Sequence, residues 1–533
     1  MKVKRYSVCQ PCRLRKIGCD GKNPECSQCL LTGRQCPGYP IEWSFVDQSR
    51  SEPMGGRRSR SRVENRKQHA EEFPRDAPLT GTSHPELSNE LYPPRPTSTD
   101  DISFAKLVNL IIRSYMPEEE LRLSSDISHD ISHELAPRLC GSWVEVLLDF
   151  DDSTRSDVVS TASAALGTLI MSQSLPKDVP SIDSTRSYLT AIQMMQRALS
   201  SANIYSDREL LVSIMCLSLA ELMFSGSYEG LAAHANAVAR ILQAHGPERY
   251  QTGILHRLFI GFRPLLMIKA IQDRKSSFLH SMDWIKMPFA ILEPSAMQSL
   301  LSQAASIPTL LRRMDEIYDS QVIIDKVCIA TQLFGDFDDI LHSLDEWEAS
   351  ILSSENRPVY WYQDQETGTC EVPTTRVPCI WFPGITMANA LTSVWSFRII
   401  CFFELERLAI TFPQLNLEYS KELSEFDGRG LLDNARTLTT RVCQSIDYLL
   451  QDKMKLFGPA STILPLQLVY AVAELYPHGY QIELGIVRKA IDRLVFKGLR
   501  SFPSYVFERN PFLHRWDILS NKYSSSECPR EEV

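Results

Sequence analysis

The feature that most constrains this chain lies in its first 36 residues, where six cysteines fall into two copies of one spacing. Cys9-Gln10-Pro11-Cys12 is followed after six residues by Cys19. The pattern returns as Cys26-Ser27-Gln28-Cys29 and then Cys36, each cysteine standing 17 residues after its counterpart. Two residues between cysteines is the spacing at which a tight turn points both sulfurs at one metal ion. Six thiolates complete two tetrahedral sites only if two of the sulfurs serve both ions, so the pattern predicts a pair of zinc ions sharing bridging thiolates. A Cys2His2 site is excluded, because the first histidine in the chain is His69. A segment of this size also holds too little apolar material to fold unaided, and metal binding would supply most of its folding free energy.

The compartment agrees with metal rather than disulfide. Met1-Lys2-Val3-Lys4-Arg5 leads into polar residues and not into an apolar run, so no secretory signal is expected and the thiols are expected to stay reduced. No run of 18 consecutive apolar residues occurs, so no membrane span is expected either. The other eight of the 14 cysteines are scattered and read as small buried hydrophobes.

Charge is divided as unevenly as cysteine. The net charge is −9, yet residues 1–75 hold 16 Lys and Arg against 8 Asp and Glu, a local +8 on an acidic remainder. Such an arm is built to meet a polyanion. Arg13, Arg15 and Lys16 crowd the stretch between the second and third cysteines, with Lys2, Lys4, Arg5, Lys22 and Arg34 around them. Groups of this kind neutralise phosphates, and a lysine aimed at guanine O6 and N7 is a common base contact.

Past the cysteines the chain changes character twice. Residues 51–100 contain seven prolines and no Ile, Trp or Cys, and Leu, Val and Phe together supply five of the 50 positions, which predicts a disordered linker. The run Arg57-Arg58-Ser59-Arg60-Ser61-Arg62 with Arg66-Lys67 suits nuclear import or further contact with the DNA backbone. Apolar residues between Val46 and Phe73 are too few for a heptad seam, so any homodimer must form through the region that follows.

From residue 101 onward helical periodicity dominates and period-2 runs are scarce. Ser206 and Glu209 form a capping box, Tyr205 and Leu210 a hydrophobic staple, and Leu211, Met215, Leu219 and Met223 an apolar stripe. An Ala-rich helix beginning at Leu231 should stop at Gly246-Pro247. Asp336 to Trp347 mixes acids with large apolar groups, as activation segments do, but Phe337, Ile340, Leu344, Trp347 and Ile351 at helical spacing favour a packing helix. The fold expected is a small zinc binuclear cluster DNA-binding domain (residues 1–45) and a large all-α C-terminal domain (residues 101–533), joined by a disordered linker (residues 46–100).

Cys12-Arg13-Leu14-Arg15-Lys16-Ile17-Gly18-Cys19-Asp20-Gly21 with Pro24-Glu25-Cys26 resembles the fungal zinc binuclear cluster family of transcription regulators. The resemblance implies two zinc ions held by Cys9, Cys12, Cys19, Cys26, Cys29 and Cys36, with Cys9 and Cys26 bridging. It implies that Lys16 reads a CGG triplet in the major groove, with Arg13, Arg15 and Lys22 at the DNA. Gly18 stands where the family usually carries a second phosphate-contacting base, which implies a shallower salt dependence. The stretch from Ala220 through His234, Arg263 and Phe278 to Trp284 is similar to the all-helical regulatory domain that follows the cluster in that family. The implied protein is a nuclear regulator of transcription by RNA polymerase II. Its partners would be double-stranded DNA, co-regulators or the transcription machinery, and a second copy, with no membrane involved.

Two rivals were weighed against this reading. In one, the cluster is only a folding staple for an interaction protein. In the other, the helical region is an enzyme, but no phosphate loop, nucleophile elbow or dinucleotide fingerprint is present, and His129 and His133 lack a partnering Glu at metalloprotease spacing.

Overall fold

The helical periods of the C-terminal region are realised as helices, and strands among the described residues are limited to two short antiparallel pairs. The computed structural model describes residues 2–5, 12, 15, 19–20, 27–32, 41–44, 103–125, 140–151, 155–173, 182–200, 205–224, 228–319, 326–354, 358–363, 378–415, 430–476, 479–516 and 519. By backbone proximity the chain divides into residues 1–91 and residues 92–533. The basic linker run, His129 and His133 lie outside the described residues.

In the first unit β1 (Lys2–Arg5) pairs antiparallel with β2 (Ile41–Ser44), Val3 facing Trp43 and Lys4 facing Glu42 in register. A short helix, α1 (Ser27–Leu31), lies between them in sequence.

The second unit is helical almost throughout. It runs α2 (Phe104–Tyr115), α3 (Glu118–Ser125), a 3-10 segment (Cys140–Asp149), α4 (Asp157–Ser172), α5 (Ile182–Ser200), α6 (Asp207–Met223), α7 (Tyr228–His245) and α8 (Gly253–Asp273). It continues with α9 (Met282–Lys286), α10 (Ala296–Gln303), α11 (Ile307–Asp319), α12 (Lys326–Ser354), α13 (Ile385–Thr411), α14 (Leu431–Leu449), α15 (Phe457–Ser461), α16 (Ile463–Leu475) and α17 (Gln481–Phe496). Strands β3 (Trp361–Gln363) and β4 (Cys379–Trp381) form the second pair, and β4 lies against α14. Helix α4 packs on α2, α5 and α6, and α13 packs on α12 and α14.

Two helices form the centre. At the start of α6 the Glu209 carboxylate accepts hydrogen bonds from the Ser206 amide at 2.8 Å and the Ser206 hydroxyl at 2.6 Å, so the predicted box closes. The predicted stripe is buried, but so is every residue from Leu211 to Met223. Two of its polar members are met: Ser218 donates to the Ile214 carbonyl of its own helix at 2.8 Å, and the Tyr188 hydroxyl of α5 donates to Glu221. Helix α7 stops as its sequence requires. Gly246 adopts φ 77° while its amide donates to the Leu242 carbonyl at 3.2 Å, and Pro247 opens a 3-10 turn.

Residues Phe337, Ile340, Leu344 and Trp347 are buried within α12, with Ile351 packed at the edge of the same core. That segment is a packing helix. Of the scattered cysteines, Cys216, Cys401 and Cys443 are buried as expected, but Cys328 is exposed because it sits in the first turn of α12, on its solvent side.

Helix α13 is long and apolar enough to cross a membrane by length and composition, and 78% of that apolar window is buried inside the unit. Its interior also carries charge. Glu404, fully buried, accepts from Arg274 at 2.8 Å, from Arg407 at 2.5 Å and from the Trp516 indole at 3.2 Å. Arg274 also holds Asp315 at 2.9 Å, and the Arg407 guanidinium lies 4.5 Å from the Tyr318 ring centre. Burial alone raises the Glu404 pKa, but the two guanidiniums and their hydrogen bonds outweigh it and take the carboxyl down to about 2. Arg274 is itself left-handed, at φ 50°, where α8 ends.

A carboxylate with a depressed folded-state pKa contributes stability that is present above its unfolded pKa and lost as pH falls through the folded value. Acid titration should therefore weaken the fold between about pH 4.5 and 2 through this group. Glu404→Gln should cost about 3–5 kcal/mol at neutral pH, because it leaves the buried Arg407 guanidinium without its counter-ion and Arg274 with Asp315 alone. It should also flatten the acid limb in urea denaturation.

Candidate metal centre and nucleic-acid interface

The described part of the N-terminal head inverts the usual division between inside and outside. Cys12 and Cys29 are 1% and 2% exposed, whereas the neighbouring Leu30 and Leu31 of α1 are 67% and 79% exposed. A five-residue helix with its leucines in solvent has no apolar reason to persist. What it buries is a thiol.

The two buried cysteines are equivalent members of the duplicated pattern, each the second of its copy and each in helical backbone. Cys19, the third of the first copy, is partly buried, and Cys12, Cys19 and Cys29 are not in disulfides. Thr32 ends α1: its amide donates to the Cys29 carbonyl at 3.2 Å and its hydroxyl to the Gln28 carbonyl at 2.7 Å. Soft thiolates at C-x2-C spacing, the buried side chains among the described residues of this segment, are the donor set that zinc takes. No group of three or more candidate ligands converges among the described residues.

Arg15, between the second and third cysteines, is exposed, as a phosphate-binding group has to be. Cys9, Cys26, Cys36, Arg13, Lys16 and Lys22 lie outside the described residues. The sequence pattern did not reveal the β1–β2 ribbon. It pairs the two ends of the head and so places Lys2, Lys4 and Arg5 on a strand whose partner begins five residues after Cys36.

The comparisons with known families fall on both units. Residues 7–42 match the fungal Zn(2)-Cys(6) binuclear cluster domain, and residues 137–284 match the fungal specific transcription factor domain. The chain carries a zinc-cluster domain and a fungal transcription factor domain. Comparison with curated proteins and with solved structures gives no significant match.

The cluster domain binds two zinc ions. The second match ends at Trp284, which is buried beside Tyr250 and Phe259 with ring centres 5.9 and 5.8 Å away. Within that match Arg263 is also buried, donating to the Gln298 carbonyl at 2.8 Å and to Ser302 at 2.8 Å. Gln298 in turn donates at 3.0 Å to the Ile260 carbonyl, which Pro264 four residues on cannot satisfy. In the transcription factor domain these conspicuous residues are therefore structural.

Elemental analysis of the purified chain should give two zinc ions per molecule. Removing them with a chelator should expose the cysteines to thiol reagents and open the head to protease, while the helical circular-dichroism signal of the second unit persists.

Proposed function

We propose that this transcription factor is a nuclear, sequence-specific regulator of transcription by RNA polymerase II that reads CGG triplets in the major groove. One observation carries the reading: Arg13, Arg15 and Lys16 are interposed between the second and third of six cysteines at binuclear-cluster spacing. We assign Cys9, Cys12, Cys19, Cys26, Cys29 and Cys36 as the ligands, with Cys9 and Cys26 serving both ions. Lys16 reads guanine, and Arg13, Arg15 and Lys22 hold phosphates.

Metal is what makes so small a reader possible. Cross-linked thiolates fix the turn that presents the basic residues, so their entropy of ordering is met on zinc binding rather than on DNA binding. Residues 1–45 form the DNA-binding domain and residues 46–100 the linker, whose arginine run serves nuclear import. Residues 101–533 form the regulatory domain, which supplies contacts to co-regulators and to a second copy.

Binding of the full-length protein to a CGG probe and to a scrambled probe tests this at several salt concentrations. Lys16→Ala should cost about 1–3 kcal/mol on the CGG probe and little on the scrambled one. Arg13→Ala should weaken both probes alike and reduce the salt slope by about 1. Equal affinity of the unaltered protein for the two probes would contradict the proposal.

A further inference from the structure

The helical unit holds a half-open cavity of about 150 Å³ between its two buried helices, α6 and α13, with α8 forming a third wall. Most of its lining is aliphatic or aromatic, including Leu219, Leu222, Ile268 and Phe397. A void of this size admits a molecule as large as a benzene ring.

What distinguishes it from a packing defect is the face that α13 turns toward it. Asn389, Ser393 and Phe397 succeed one another at four-residue intervals and all line the cavity. Asn389 is 7% exposed, and among the described residues no hydrogen bond reaches its side-chain amide or the hydroxyl of the half-buried Ser393. The neighbours on the other faces behave differently: Thr392 donates to the Ala388 carbonyl at 2.8 Å and Ser396 to the Thr392 carbonyl at 2.7 Å. Ser393 is free to donate backward in the same way and does not. A buried amide and a half-buried hydroxyl that no described residue engages, beside a largely apolar cavity, are the pattern of a site that takes a polar group from outside.

The charge of that group follows from the wall. Lys269 is the cation in the lining, and its ammonium is paired with Asp273 one turn on. An anionic ligand would be buried without a counter-ion, whereas a neutral one meets a donor and acceptor in Asn389 and a hydroxyl in Ser393.

We propose that this cavity is a binding site for a neutral, largely apolar small molecule of single-ring or short-chain size, carrying one hydroxyl or carbonyl group that Asn389 and Ser393 engage. The ligand is a small-molecule effector of the helical unit, held by apolar contact along its body and oriented by its polar end.

Calorimetric titration of the full chain with benzyl alcohol, toluene and benzoate tests the proposal. Benzyl alcohol should bind saturably at one site and at least tenfold more tightly than benzoate. Asn389→Leu should weaken benzyl alcohol about tenfold and change toluene less than twofold. Ala232→Leu, which fills the lining, should abolish both while the helical circular-dichroism signal is kept. Should Ala232→Leu unfold the chain, the Asn389→Leu comparison decides alone. Absence of saturable binding by both neutral probes, or equal loss of both in Asn389→Leu, would overturn the proposal.

Discussion

Ordering a backbone costs roughly 1–2 kcal/mol per residue, and among the described residues of the head the leucines face solvent and only cysteine is buried to set against it. Its two deepest described side chains are the thiols of Cys12 and Cys29. Zinc–thiolate bonds are therefore the interaction on which the head depends, and through it the presentation of the basic residues between Cys12 and Cys19. The positive charge of the arm is useful only if that turn is held rigid. The charge itself would stay with a disordered tail, but its register with DNA bases would not.

The second unit is stabilised by the opposite means. Its core is continuous and apolar, and the few buried charges are tied into it by groups distant in sequence. Glu404 meets Arg274 from α8, Arg407 from its own helix and Trp516 from the C-terminal segment, while Asp315 of α11 takes the other side of Arg274. Such a knot specifies how α8, α11 and α13 meet, since any other arrangement would strand a charge. Between α6, α8 and α13 the packing stops short of filling space, and Asn389 and Ser393 of α13 line the gap.

Much of this was legible in the residues. The capping box at Ser206 and Glu209, the stop at Gly246-Pro247 and the packing role of Phe337 to Trp347 are local signals that local geometry obeyed, and the cysteine spacing falls within the matched cluster domain. What escaped depends on partners far away in the chain. Leu211 to Met223 reads as one stripe because Ser213, Ser218 and Glu221 interrupt it, but Ser218 hides its polarity in its own helix and Glu221 is met by Tyr188 from α5. Four-residue strands separated by some 35 residues leave no periodic trace, so the β1–β2 ribbon was invisible. Cys328 carries no mark that it ends up on the outer face of α12. Asn389 and Ser393 look like ordinary helix polar residues until the neighbouring walls show that they line a cavity.

The account turns on a metal pair shared by one set of six thiolates, and cobalt titration into the metal-free protein tests it most directly. The thiolate-to-cobalt absorption should saturate at two ions per chain, and the magnetic moment per ion should fall as the second ion enters, because bridging sulfurs couple the spins. Saturation at one ion, or two ions whose moments simply add, would contradict it.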